Sequence, residues 1–182
     1  MNARRLRVEA VGPAHAEVLA RLHGRCFGQG GWSAGEMVAL IEAFGAFALV
    51  ASEADEPVGM ALARVAADEA EVLAIGVLPE RRRCGAGRAL LSALTQACAG
   101  RGARRLFLEV ACDNAAAQAL YAASGFTVVG RRPGYYASPS GASVDGLILA
   151  KSGLTPSAAE AGEAGADPLT RRPVPAPPPS SE

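Results

Sequence analysis

The sequence predicts a mixed α/β fold, an α+β mixed sheet with packed helices, and two observations support this class. Apolar runs of strand length and segments with helical periodicity follow one another in the order β-α-α-β-β-β-α-β-α-β-β. The chain has 182 residues, of which 50% are hydrophobic, so it can bury the core of one domain. Acidic and basic side chains number 18 each, which gives no indication of nucleic acid or an acidic membrane as a partner.

The first part of the chain predicts one strand and two helices. Residues 6–10 read as the strand. Pro13 stands where a first helical residue is favoured, and the helix that it starts is expected to extend to about residue 26. A second helix, ending near residue 44, is predicted to begin at Ser33, because Ser33 and Glu36 match a capping box.

The rest of the predicted domain contains six further strands and two helices. Apolar runs predict strands at 46–52, 58–66, 71–77, 106–111, 126–130 and 144–150. One helix is expected from the glycine-rich turn at 85–87 to about residue 100. Another is expected from its cap at Asn114 to the Ser-Gly pair at 124–125. Residues 131–141, which include Tyr135 and Tyr136, are predicted to be a loop.

Residues 1–152 are therefore predicted to form the domain, and 153–182 a disordered tail rich in proline and alanine. Seven of the 12 prolines lie in this tail, which lacks aromatic residues and apolar periodicity. The three consecutive prolines at 177–179 favour an extended helix, so a partner-binding role is the alternative for the tail.

The cysteines and histidines do not predict a metal site. The four cysteines lack C-x-x-C spacing, and both histidines lie in the first predicted helix. Scattered cysteines favour a reducing compartment, and no apolar run reaches the roughly 20 residues of a membrane helix. We therefore expect a cytoplasmic protein without a membrane or nucleic-acid partner.

Two glycine-containing motifs resemble known active-site patterns but lack the required context. The G-x-S-x-G pattern at 31–35 has no preceding strand and no histidine after it, which argues against a hydrolase nucleophile. The pair Gly85 and Gly87 resembles the start of a dinucleotide-binding fingerprint, but Leu90 stands where the third glycine is needed. Glu109 lies near the position of a ribose-binding acid, so this interpretation stays open as a minor alternative.

The segment at 81–91 predicts a phosphate-binding turn. It follows the strand at 71–77, contains three consecutive arginines and two glycines, and opens a helix. Backbone N–H groups at a helix start, glycine and positive charge together suit a phosphate or a pyrophosphate. Arginine supplies 17 of the 18 basic residues, so an arginine cluster is weak evidence by itself. The alternative for Arg81 is a solvated surface residue.

The turn also carries a family resemblance. Arg82-x-x-Gly85-x-Gly87 resembles the Q/R-x-x-G-x-G/A pyrophosphate loop of the GCN5-related N-acetyltransferases (GNAT), and the element order is similar over residues 6–151. Within that superfamily the chain resembles in particular the bacterial ribosomal-protein-alanine N-acetyltransferases of the RimI type. The segments that carry the resemblance are 32–33, 74–77, 82–91, 108–114, 119–121, 124–126, 131–132 and 135–136.

The resemblance implies acetyl-CoA as co-substrate and no metal. The backbone of Ile75, Gly76 and Val77 would pair with the pantetheine arm, and the Val77 N–H would face the thioester carbonyl. Asn114 would contact the same arm, with a plain helix N-cap as the alternative. The residues implied to wrap the pyrophosphate are Arg83, Cys84, Gly85, Ala86, Gly87 and Arg88.

Glu109 is the residue predicted to act as general base. It interrupts the apolar strand at 106–111, on the face opposite Leu106, Leu108 and Val110. An unpaired charge in such a strand is costly, so either an arginine pairs with the carboxylate or the carboxylate has a chemical role. The family resemblance implies the second: a protonated amine must lose a proton before it attacks a thioester, and Glu109 would take it.

Two kinds of aromatic role complete the expected site. Tyr121 is implied to be the general acid that protonates or hydrogen-bonds the leaving thiolate, with ordinary core packing as the alternative. Trp32, Tyr135 and Tyr136 are expected to line a peptide-accepting groove, with local packing as an equal alternative.

The predicted function is therefore direct acetyl transfer from acetyl-CoA to a protein N-terminal α-amine, without a covalent enzyme intermediate. The lack of a convincing Cys–His or Ser–His pair agrees with this. By resemblance, the acceptor is the N-terminal alanine of a small-subunit ribosomal protein. The alternatives are acetylation of a lysine or small-molecule amine, and a CoA-binding module that has lost catalysis. The glycine-rich loop at 28–31 and the loop at 138–143 depart from the family pattern, which leaves acceptor choice open.

Overall fold

The computed structural model describes residues 6–28, 31–137 and 143–156. Its strands are β1 (Leu6–Val11), β2 (Ala46–Glu53), β3 (Glu56–Ala66), β4 (Glu69–Val77), β5 (Arg105–Ala111), β6 (Thr127–Ala137) and β7 (Ser143–Ser152). Its helices are α1 (Ala16–Phe27), α2 (Ala34–Glu42), α3 (Ala86–Gly100) and α4 (Ala115–Ala123). Short 3-10 turns at Pro13–His15 and Pro79–Arg81 precede α1 and follow β4.

The strands form one sheet in the order β1-β2-β3-β4-β5-β7-β6. Neighbouring strands are antiparallel except for β4 and β5, which run parallel because α3 crosses over between them. The mixed sheet and the element order confirm the predicted fold class.

Helices cover both faces of the sheet, and each face has its own apolar layer. One layer joins α3 and α4 to the sheet through buried residues that include Leu90, Leu94, Leu106, Leu108 and Tyr121. The other joins α1 and α2 to the opposite face through buried residues that include Leu19, Leu22, Met37, Met60 and Leu62. Since side chains alternate along a strand, odd and even residues of β5 face different layers.

The structure corrects one predicted segment. Residues 131–141 are predicted to be a loop, whereas β6 continues to Ala137. Pro133 and Gly134 suggest a loop in the sequence, but β6 is an edge strand, where proline is tolerated. A bulge between Arg132 and Tyr136 accommodates the extra residues. Residues 138–142 lie outside the described part of the chain.

The last described residues still pack on the domain. Leu154 is buried, and its N–H donates to the Arg104 carbonyl at 3.2 Å. The tail is predicted to comprise 153–182, so its first four residues are described and include the buried Leu154. Residues 157–182 lie outside the described residues, and for them the disordered tail stays a prediction. Within the three described ranges, no helix has the length and apolar character that crossing a membrane requires.

Candidate active site

The centre of the candidate site is the place where β4 and β5 stop pairing. Their parallel register comprises only three pairs, from Glu69 with Arg105 to Glu71 with Phe107. Residues 72–77 of β4 and 108–111 of β5 continue beyond that point. The sheet therefore has a gap at its middle, and backbone groups of β4 face it without a partner from β5.

The backbone direction in β4 follows from its pairing with β3. The Leu78 N–H donates to the Val58 carbonyl at 2.9 Å, so Gly76, two residues earlier, also directs its polar groups toward β3. Ile75 and Val77 then direct theirs toward the gap. A bulge at Leu73 sets this alternation just beyond the last β4–β5 pair. Ile75 and Val77 thus direct N–H groups toward the gap, whereas Gly76, the third residue predicted to pair with a pantetheine arm, directs its N–H toward β3.

The predicted pyrophosphate turn lies directly at the start of α3. Gly85 is the N-cap, with φ +90°, and no side chain caps the helix. The first helical bond is from the Ala89 N–H to the Gly85 carbonyl at 3.0 Å. The N–H groups of residues 86–88 therefore lack carbonyl partners within α3 and are directed toward the end of the helix. This geometry fits a pyrophosphate, and Arg83 and Arg88 are exposed beside it.

The arginines of the turn have different contacts. Arg81 pairs with Glu53 of β2 at 2.8 Å in a partly buried ion pair, so it is more than the solvated residue considered as an alternative. The Arg82 Nε donates to the Val77 carbonyl at 3.3 Å and so links the turn to the end of β4. Cys84 is exposed, and its thiol donates to the Arg81 carbonyl at 2.7 Å.

Asn114 is the N-cap of α4. Its Oδ1 accepts a hydrogen bond from the Ala117 N–H at 3.2 Å. This is the capping role considered from the sequence, and it leaves the predicted contact with the cofactor arm untested. The Gln118 amide donates to the carbonyls of Ala111 and Cys112 at 3.2 and 2.9 Å, which fixes the turn between β5 and α4.

Glu109 lies on β5 beside the gap, on the face predicted from the alternation of the strand. Its side chain is 23% exposed, and its Oε1 lies 3.1 Å from the Nε of Arg132 on β6. Gly146 of β7 pairs with both Ala111 and Arg132, so no side chain at that position separates the two charged groups. The arginine pairing considered as an alternative is therefore present.

This ion pair does not exclude chemistry at Glu109. The Arg132 side chain is 53% exposed, and an exposed ion pair contributes at most about 1 kcal/mol. An arriving amine can therefore compete for the carboxylate at small cost. The geometry is compatible with both interpretations, the structural pair and the general base.

Tyr121 lies on the inner face of α4 and is 6% exposed. Its ring centroid is 6.0 Å from that of Phe126, so it contributes to the apolar layer as the alternative interpretation expected. Burial raises the pKa of Tyr121 to about 12, so the phenol is protonated at neutral pH and can donate a hydrogen bond.

Tyr135 and Tyr136, both on β6, lie next to Glu109 of β5. Their rings meet edge to face, with centroids 5.0 Å apart, and the Arg132 guanidinium lies 5.2 Å from the Tyr135 centroid. Burial first, and then the neighbouring Glu109, Tyr135 and Tyr121, together raise the pKa of Tyr136 to about 12, while Arg132 opposes the shift. The Tyr136 phenol therefore lies within electrostatic range of Glu109 and Tyr121, the two predicted catalytic residues.

Trp32 packs in a different place, on the loop between α1 and α2. Its ring stacks on the His23 ring with the centroids 4.4 Å apart, and its backbone N–H donates to the His23 Nδ1 at 3.3 Å. The adjoining Gly31 lies so close to α1 that an added Cβ would be 3.0 Å from the Gly24 Cα. The contacts of Trp32 are thus those of local packing, and residues 29–30 of the glycine-rich loop lie outside the described residues.

The stability of the protein is expected to fall on acidification because of His23. Burial lowers the pKa of His23, and protonation of Nδ1 would break the bond from Trp32. The unfolded chain takes up the proton near its ordinary pKa of about 6.5, so the contribution is complete above about pH 6.5 and decreases below it. His23→Phe, which keeps the ring, should reduce the difference in unfolding free energy between about pH 5 and pH 7.5. His15→Gln is the control, and equal pH dependence in His23→Phe and the wild type would contradict the assignment.

The sequence did not assign roles to two charged residues of the site, Arg132 and Asp145. In an arginine-rich chain, nothing marks Arg132 among the other arginines. Asp145 interrupts an apolar strand as Glu109 does, and that signal could have singled it out. Among the described residues, no group of three or more His, Cys, Asp or Glu side chains could hold a metal ion.

A match to a known protein family gives the class of protein to which this fold belongs. The model of the family described as acetyltransferase (GNAT) family matches residues 16–126. The chain belongs to this family, which confirms the predicted resemblance and fold.

Curated relatives show which enzymes of this family the chain is similar to. The [ribosomal protein bS18]-alanine N-acetyltransferase of Escherichia coli K12 is 42% identical over 90 residues, which cover 50% of this chain and 60% of the relative. The enzyme of the same description from Haemophilus influenzae is 35% identical over 98 residues, covering 54% of this chain and 66% of the relative. The matched stretch thus spans less than two thirds of the length of these relatives.

Solved structures give the same fold over a longer range. The crystal structure of the Escherichia coli ribosomal-protein-S18-alanine N-acetyltransferase matches with a TM-score of 0.75 and 26% identity, covering 91% of this chain and 100% of that one. Arabidopsis thaliana NAA60 in complex with a bisubstrate analogue matches with a TM-score of 0.70, covering 81% and 98%, and its 19% identity supports the fold alone.

Proposed function

We propose that this protein transfers the acetyl group of acetyl-CoA to the N-terminal α-amine of a protein. The observation that carries the proposal is the gap between β4 and β5, with a helix start suited to pyrophosphate nearby and Glu109 beside it. The similar proteins are named as N-acetyltransferases of the alanine of ribosomal protein bS18, which supports an acceptor that begins with alanine. A small-subunit ribosomal protein is therefore the first acceptor to test.

Acetyl-CoA supplies an activated acetyl group on a thioester, and the chain supplies binding and proton transfer. The N–H groups of Ala86, Gly87 and Arg88 would hold the pyrophosphate. The N–H groups of Ile75 and Val77 would align the pantetheine amides as an added strand aligns with a sheet edge. These contacts hold the thioester at the gap.

Three groups of the chain would then act on the reacting atoms. Glu109 takes a proton from the ammonium of the acceptor, directly or through a water, so that the amine can attack. The Val77 N–H donates to the carbonyl oxygen as negative charge develops there. Tyr121 donates a hydrogen bond to the departing sulfur, a role that suits a buried phenol with a pKa of about 12.

A peptide panel tests this function. Peptides beginning with Ala, Ser, Met or Gly are incubated with the protein and acetyl-CoA, beside an N-terminally blocked peptide containing lysine and a polyamine. Mass spectrometry locates the acetyl group, and CoA release gives the rate. We expect turnover on free α-amines, fastest with alanine first. Acetylation of lysine or the polyamine, without any α-amine product, would contradict the proposal.

Tyr121→Phe is expected to lower kcat about tenfold, with unchanged affinity for acetyl-CoA. The loss is smaller than for the base, because a thiol with an ordinary pKa of about 8.5 leaves as a thiolate without full protonation. Phenylalanine keeps the contact with Phe126, so the melting temperature serves as the control for packing. An unchanged kcat would assign Tyr121 to the core alone.

A further inference from the structure

The bulge of β6 is organised by one residue of the neighbouring strand. Arg132 pairs with Gly146, and the next β6 pair is Tyr136 with Val144. Residues 133–135 of β6 therefore face the single residue Asp145 of β7. Pro133 has no N–H, and Gly134 has φ +61°, a conformation that favours glycine.

The Asp145 carboxylate accepts two hydrogen bonds from β6, one from the backbone of the bulge and one from the side chain of Arg131. Its Oδ1 accepts from the Gly134 N–H at 2.8 Å, and its Oδ2 accepts from the Arg131 Nε at 2.6 Å. The backbone carbonyl of the same residue accepts from the Cys112 N–H at 2.9 Å, at the end of β5. The Gly134 bond and, second, the Arg131 bond lower the pKa of Asp145, so the carboxylate stays charged at neutral pH. One residue thus joins β5, β6 and β7.

The bulge presents the side chains that surround Glu109. Arg132 precedes it and pairs with Glu109, Tyr135 is its last residue, and Tyr136 follows. Gly146, next to Asp145, makes room for both rings: an added Cβ would lie 3.3 Å from the Tyr135 Cδ1 and 3.4 Å from the Tyr136 Cε2. A change at Asp145 would therefore move all three side chains together, without touching the pyrophosphate turn.

We infer that Asp145 is a positioning residue for the acceptor side of the active site: it holds the β6 bulge so that Arg132, Tyr135 and Tyr136 surround Glu109. The inference rests on the proposed function for the identity of the acceptor. The site then has two sides: acceptor binding depends on Asp145, and acetyl-CoA binding depends on the turn at 83–88.

The test compares Asp145→Ala, Asp145→Asn and Arg131→Ala with Asp68→Ala, an exposed acid in the β3–β4 turn. Asp145→Ala should raise the KM for an alanine-first peptide about tenfold or more, because a charge-assisted hydrogen bond to Gly134 is lost. The KM for acetyl-CoA should stay within about twofold of wild type. Asp145→Asn, which keeps an oxygen for the Gly134 N–H, should recover most of the loss. Arg131→Ala should have a smaller effect than Asp145→Ala, and Asp68→Ala none.

Hydrogen–deuterium exchange gives a readout that does not depend on the acceptor. Asp145→Ala should speed exchange in residues 131–137 while acetyl-CoA affinity is retained. An unchanged peptide KM, an equal rise in both KM values, or unchanged exchange in that segment would overturn the inference. If wild type acetylates only lysine or small amines, the proposed function fails and the KM comparison is made with that acceptor. If the wild type acetylates none of these acceptors, hydrogen–deuterium exchange and acetyl-CoA affinity of Asp145→Ala test the inference.

Discussion

Replacement of Glu109 by glutamine is expected to lower kcat by at least about a hundredfold, with little change in acetyl-CoA affinity. Glutamine has nearly the same shape but cannot accept the proton of the acceptor ammonium. Single-turnover rates and acetyl-CoA titration measure the two quantities separately. The loss should persist between about pH 6 and 9, because the amide does not titrate there.

The matched control for this variant is Arg132→Ala. Both substitutions remove the 3.1 Å ion pair, but only the first removes the proposed base. If Glu109 were only structural, both variants would change activity and stability by similar amounts. We expect Arg132→Ala to affect the acceptor KM and to keep most of kcat. Full activity of Glu109→Gln across the pH range would show that the base lies elsewhere.

A methyl group at Gly76 is expected to destabilise the fold and weaken acetyl-CoA binding. An added Cβ would lie 2.8 Å from the Cys26 Cβ, 3.0 Å from its Sγ and 3.2 Å from the Phe27 Cε2. These atoms belong to α1, which packs directly on β4, so strand and helix must separate. Overpacking of this kind costs about 1–3 kcal/mol in unfolding free energy. The shift would also displace the N–H groups of Ile75 and Val77 that face the gap.

Denaturant unfolding and acetyl-CoA titration of Gly76→Ala measure these two effects. The matched control is Gly24→Ala, which adds the same methyl to α1, where no described atom outside the helix backbone lies within 4 Å. Alanine favours a helix over glycine by roughly 0.5–1 kcal/mol, so the control should be neutral or stabilising. A Gly76→Ala protein within about 0.5 kcal/mol of wild type, with full acetyl-CoA affinity, would contradict the close packing of α1 on β4.

Most of the fold prediction rested on sequence patterns between residues a few positions apart. The capping box at Ser33 is confirmed, since the Ser33 Oγ accepts from the Glu36 N–H and the Glu36 carboxylate accepts from the Ser33 N–H. The glycine turn before α3 and the alternation of β5 are also as predicted. These features depend on residues a few positions apart, so the sequence is sufficient to identify them.

The prediction was wrong for residues 131–137, where a residue of the next strand changes the conformation that proline and glycine usually favour. Pro133 and Gly134 normally favour a loop, but the carboxylate of Asp145 accepts the Gly134 N–H and keeps β6 going to Ala137. Asp145 follows Gly134 by 11 residues, and no local motif in 131–141 indicates that the two residues meet. The stack of Trp32 on His23 is the local packing that the sequence analysis gave as an equal alternative, and a role in an acceptor groove stays a prediction.

By itself, the sequence determined the fold class, the glycine turn before α3 and the placement of Glu109 in an apolar strand. The tertiary structure alone decided what surrounds Glu109. The chain inserts β7 between β5 and β6, and Gly146 then lies between the strands that carry Glu109 and Arg132. The reason is physical: hydrophobic periodicity specifies which face of a strand is buried, but strand order and the side chains that meet across a neighbouring strand depend on packing of the whole sheet.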